Sequence, residues 1–63
     1  MVDYTVVNYG SLFVLRGNTV DAVDHLRANV SSETQWVGPD AIAVEPRYIA
    51  PLVSQLREEG FEV

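Results

Sequence analysis

Asp21 and His25 stand four residues apart, the spacing at which a carboxylate and an imidazole meet on one helix face. With a serine in reach, such a pair would serve nucleophilic catalysis. The histidine would take the hydroxyl proton and the carboxylate would orient the ring. Ser11, Ser31, Ser32 and Ser54 are the available hydroxyls, and none sits in a G-x-S-x-G elbow. The plainer reading is an exposed i, i+4 pair. The sequence carries no glycine-rich phosphate loop, no paired-carboxylate signature and no zinc-ligand spacing. With no cysteine and a single histidine, thiolate and histidine-rich metal sites are excluded. The expectation is a protein without cofactor or metal that is not an enzyme.

Binding is the other chemistry these residues offer. Glu45, Arg47 and Tyr48 surround Pro46 where strand gives way to helix, a kind of junction that often carries function. Arg47 also has acidic neighbours enough for an ordinary ion pair. Trp36 is a candidate partner anchor, because Trp is enriched among interface hot spots, and equally a core residue. Glu58, Glu59 and Glu62 form an acidic end suited to a partner with a basic surface, or simply a solvated one. The whole chain leans the same way: nine acidic residues oppose four arginines, with no lysine and a net charge of -5. Direct nucleic-acid binding is therefore not expected, since phosphate contacts need clustered cations. Nothing reads as a signal peptide or a membrane span, so a soluble, cytoplasmic protein without a membrane partner is expected.

These candidates need elements to hold them. Val2, Tyr4 and Val6 alternate with Asp3, Thr5 and Val7, the two-residue period of a strand. Residues 8–11 then form a turn, and the apolar run Leu12-Phe13-Val14-Leu15 returns as a second strand. Asn18 or Thr19 can cap a helix that follows, with Val20, Val23, Leu26, Arg27 and Val30 on one face. Residues 34–37 and 41–45 read as strands around the turn Gly38-Pro39-Asp40. Ile49, Leu52, Val53 and Leu56 fit an amphipathic helix. Pro51 confines that helix to a start near Tyr48 to Ala50, since proline suits only a first turn. Gly60 is placed to end it in a Schellman motif that brings Phe61 to Leu56.

The order ββαββα, with room for a final short strand at 61–63, predicts one small two-layer α+β domain. An antiparallel sheet of four to five strands would carry both helices on one face. Val2, Tyr4, Val6, Leu12, Val14, Ile42 and Val44 are the expected inner set. Val7, Phe13, Leu15, Val37 and Ala43 are the expected outer set. A domain of 63 residues buries only about 60% of the surface its unfolded chain exposes. Leaving Phe13 and Leu15 in water would forfeit a large share of its stability, so a homodimer joined through the outer face is expected.

The segments Tyr4-Thr5-Val6-Val7-Asn8-Tyr9-Gly10-Ser11-Leu12-Phe13, Gln35-Trp36-Val37-Gly38 and Ala43-Val44-Glu45-Pro46-Arg47-Tyr48 resemble a group of short bacterial, phage and prophage-type proteins of unassigned function. The likeness runs on through Leu56 to Gly60. It departs at Pro46, where a polar residue is usual, and at Pro51. The resemblance supplies no active site. It implies a small mobile-element protein that binds and blocks a host protein, such as an anti-CRISPR-like inhibitor of a defence complex or of a nucleic-acid-handling complex. A self-associating structural or accessory subunit is the alternative reading.

Overall fold

A computed structural model describes residues 2–63. Strand β1 (Tyr4–Asn8) and strand β2 (Phe13–Gly17) pair antiparallel, and β2 pairs antiparallel with β3 (Ala41–Val44). The sheet order is β1-β2-β3, with β2 in the centre. Helix α1 (Val20–Asn29) joins β2 to β3, and α2 (Pro46–Glu58) follows β3. The fold is α+β, as expected, but among the described residues the sheet has three strands.

Both missing strands are reduced to a few hydrogen bonds. Residues 35–37 do lie along β3, with Val37 N–H donating to Ala41 O and Ala43 N–H to Gln35 O, but only Trp36 forms a bridge, to Ile42. Before Gln35 the chain leaves β3, with Thr34 N–H donating back to Ser31 O, and the pairing is limited to one bridge. At the other edge, Asp3 and Tyr4 N–H both donate to Glu62 O. The segment 61–63 thus lies against the start of β1 without becoming a strand.

The β1–β2 hairpin turns on a two-residue loop. Tyr9 N–H donates to Leu12 O at 2.8 Å, and Gly10 takes a positive φ of 88° between them. Gly at the first loop position meets the demand of a tight primed turn, and Asn8 Oδ1 braces it by accepting from Gly10 N–H. This loop sets the register: Tyr4 faces Gly17, Val6 faces Leu15, and Val7 faces Val14. Because strand side chains alternate, Tyr4, Val6, Phe13, Leu15, Ile42 and Val44 share one face.

That face is the core. Tyr4, Leu15, Ala22, Leu26, Ile42, Val44, Ile49 and Leu56 form its buried cluster, with Phe13 and Trp36 packed against it. The expected sheet faces are therefore wrong for β2. Leu15 is fully buried and Phe13 is half-buried against the core, whereas Val14 lies on the opposite face with Val7 and Ala43. Leu15 cannot serve as a partner contact, and the need to cover Phe13 and Leu15 with a second copy disappears.

α1 is capped by Thr19, whose Oγ1 accepts from Ala22 N–H at 3.0 Å. Asn18 acts elsewhere, its Nδ2 donating to Val2 O and Thr5 Oγ1. The helix buries Ala22 and Leu26, while Val20, expected on the inner face, is 76% exposed in the first turn. α1 comes so close to the sheet that a Cβ on Gly17 would stand 2.8 Å from Val23 Cγ2. Tyr4, wholly inaccessible, ties the layers together by donating its hydroxyl to Ala22 O at 2.8 Å.

α2 begins at Pro46, earlier than Pro51 suggests. Its first turn is tight, with Tyr48 N–H donating to Glu45 O three residues back. Pro46 at the first position sacrifices no hydrogen bond, since that N–H has no partner within a helix. Pro51 sits inside the helix and removes one bond there. Ile49 and Leu56 are buried, with Leu52 and Val53 beside them. The Schellman ending is present in full: Gly60 has φ 97°, its N–H donates to Arg57 O, and Phe61 N–H donates to Leu56 O.

Candidate interaction surface

His25 leaves α1 toward the end of α2 and has a partner other than Asp21. Its Nε2 lies 2.6 Å from Glu59 Oε2, and its ring rests against Phe61 with centroids 4.8 Å apart. Nδ1 has Asn29 Nδ2 at 3.4 Å, and Gln55 Nε2 donates to the second Glu59 oxygen at 3.3 Å. Both ring nitrogens thus face groups of the helix pair, and no serine joins them. A proton held between His25 and Glu59 would fasten α1 to the C-terminal turn of α2. The two residues are 34 positions apart, and no spacing in the sequence signals the contact.

The other candidates are dispersed. Arg47 Nε donates to Glu45 Oε2 at 3.1 Å and its guanidinium stands 4.8 Å from the centre of the Tyr48 ring. All three are exposed at the start of α2. Trp36 is half-buried against the core at the far side of β3, with Arg27 stacked 5.4 Å from its ring. Arg27 also donates to Pro39 O. Among the acidic residues, Glu59 is engaged with His25, Glu62 is bound through its backbone to the start of β1, and Glu58 is exposed at the end of α2. No group of three or more His, Cys, Asp or Glu residues is placed to hold a metal among the described residues.

What the fold does gather is the sheet face turned away from the helices. Alternation along the paired strands puts Thr5, Val7 and Tyr9 on it from the first strand, and Leu12, Val14 and Arg16 from the second. Ala41, Ala43 and Val37 extend it across β3. Val14 is nearly covered by its neighbours, while Val7 and Leu12 are each 37% exposed and Val37 is 44% exposed. Arg16 lies at one end, 3.9 Å from Asp40. Val7, Val37 and Ala43 fall on this face as expected. Leu12 and Val14 belong to the expected inner set and lie here instead, and Tyr9 joins them. The signal that places them is an even-length loop, Gly10-Ser11 or the longer turn over 8–11 alike, which sets even residues of the first strand on the same face as odd residues of the second.

Comparison with protein-family models, curated proteins and solved structures finds no match. Among the described residues, no helix is long and apolar enough to cross a membrane.

Proposed function

We propose that the protein is a non-enzymatic protein–protein interaction module that contacts its partner through the open face of the sheet. The observation that carries this reading is the set of exposed side chains on one side of a domain whose core lies on the other: Tyr9, Val7 and Leu12 toward one edge and Val37 at the other, with Val14 and Ala43 between them. A contiguous apolar patch with a polar rim is the usual mark of an interaction site. The net charge of -5 favours a partner whose patch is ringed by basic groups. It also suits a finer reading, in which a mobile-element protein blocks a host defence or nucleic-acid-handling complex by occupying its basic surface.

Affinity capture from host extract with the wild type and with a Val7→Asp/Leu12→Asp variant tests this reading. Both substituted side chains are on the open face, so the variant keeps its fold, checked by its circular dichroism. The expected result is a partner retained by the wild type and lost by the variant. A partner retained equally by both overturns the assignment. A wild type that self-associates through this face, with the variant monomeric, replaces it by the subunit reading.

A further inference from the structure

The outer edge of β1 carries a second feature, independent of the open face. Asn18 N–H donates to Asp3 O and Tyr9 N–H donates to Leu12 O. In an antiparallel ladder these bonds recur every second residue, so the odd-numbered residues of the first strand spend their backbone groups on β2. The even-numbered ones point outward. Tyr4 N–H is taken by Glu62 O. The outward groups of Val6 and Asn8 have no backbone partner among the described residues.

Beside this edge runs a groove of about 700 Å³ between β1 and α2. Val6 lines it from the strand, Ala50 and Val53 from the helix, and Val63 from the tail. Among the described residues, Arg57 is the only lining residue with a charged side chain. The other three arginines face a carboxylate or an indole: Arg16 is near Asp40, Arg47 binds Glu45, and Arg27 stacks on Trp36. Arg57 gives Nη2 to the main-chain oxygen of Val63 at 3.2 Å. A guanidinium has five N–H donors, so capacity for an anionic oxygen remains. The tail also shows how a chain seats here: Glu62 pairs with the Tyr4 amide while the oxygen of the next residue meets Arg57.

We propose that this groove takes an extended apolar segment of a partner protein, added as a strand to the edge of β1, with a carboxylate of that segment held by Arg57. The backbone of the segment pairs with Val6 and Asn8. Its alternate side chains enter the groove over Val6, Ala50 and Val53. Strand addition draws affinity from main-chain hydrogen bonds and selectivity from pockets for every second side chain. A second copy of the chain is a poorer occupant, since two molecules of charge -5 repel.

The test uses the full chain and a fluorescent Thr-Val-Thr-Val-Thr-Val peptide with a free C-terminal carboxylate. Three further peptides serve as comparisons: the C-terminal amide, a form N-methylated at alternate residues, and a scrambled basic peptide. Saturable binding of the free acid is expected at sub-millimolar concentration, about tenfold weaker for the amide and abolished by N-methylation. Arg57→Gln should bring the acid down to the level of the amide without changing binding of the amide. Amide hydrogen exchange should slow at Val6 and Asn8 on binding and stay unchanged at Val7. No saturable binding, equal binding of the N-methylated form, or equal binding of acid and amide by the wild type overturns the proposal. So does protection confined to the open face, or a dimer that forms through β1 and excludes the peptide.

Discussion

Tyr4 is the residue on which the alkaline stability of this domain should turn. Its side chain is inaccessible, its ring meets Phe61 edge-on at 5.3 Å, and its hydroxyl donates to Ala22 O. Burial, reinforced by the negative charges of Asp3 and Glu59, pushes its pKa from the ordinary 10.0 up to about 12. Below pH 10 the phenol is protonated in both folded and unfolded chains and adds no pH dependence. Between pH 10 and 12 the unfolded chain releases the proton and the folded one keeps it. The unfolded state then binds fewer protons, so stability falls as pH rises. At about 1.4 kcal/mol per unit, two units amount to roughly 2–3 kcal/mol. A domain of this length has roughly 3–9 kcal/mol in all, so about a quarter of it or more is at stake.

Urea unfolding at pH 8, 10 and 12 measures this loss, and Tyr4→Phe isolates it. At pH 8 the variant should lose about 1 kcal/mol with its hydrogen bond, or about 4–8 °C in Tm. Above pH 10 its stability should fall by much less than that of the wild type, and by pH 12 the variant should be the more stable of the two. If both fall by the same amount between pH 10 and 12, the burial of the phenol has no energetic consequence and the reasoning is refuted.

Three other outcomes are expected. Phe13→Ser should destabilise the protein by about 2–4 kcal/mol as a core truncation, whereas Val7→Ser on the open face should cost under about 1 kcal/mol; thermal melts of the two decide the face assignment. Gly17→Ala should cost about 1–3 kcal/mol by overpacking against Val23, and Val23→Ala added to it should recover part of the loss in a double-mutant cycle. His25→Ala should cost about 1–2 kcal/mol by releasing Glu59 and Phe61, with a coupling to Glu59→Gln measurable by the same kind of cycle.

The elements that the sequence announces are those with local signals. A cap at Asn18 or Thr19, which Thr19 supplies, Gly60 and Phe61 as a helix ending, and the spacing of Ile49, Leu52, Val53 and Leu56 all act within a few residues, and all reappear in the fold. The facing of β2 is different. Leu12 to Leu15 are apolar at every position, so alternation says nothing about which side is inward. The even length of the loop decides it: with two residues, partner numbers sum to 21, as in Val6 with Leu15, and even residues of one strand share a face with odd residues of the next. The four-residue turn over 8–11 gives sums of 19, equally odd, and therefore the same facing; only a loop of odd length exchanges the faces of β2, so the expected inner set joins the two strands out of phase. The start of α2 departs from expectation for a related reason: the prohibition on internal proline is energetic, and tertiary burial of Ile49 and Leu56 outweighs one lost hydrogen bond. The contact of His25 with Glu59 depends on how two helices cross, which no local pattern encodes.

The bonds from Asp3 and Tyr4 to Glu62 join positions 59 and 58 residues apart, so almost the whole chain is drawn into one ring. Forming that ring consumes entropy, and nearly every other tertiary contact lies within it. The hairpin and α1 can assemble from near neighbours, but the groove beside β1 exists only once the ring is shut. A short flexible linker covalently joining the neighbourhood of Asp3 to that of Glu62 would remove most of this entropic demand from the unfolded chain. Circularised in this way, the protein should refold faster, and the β1–α2 groove should be the region that gains most in protection against opening.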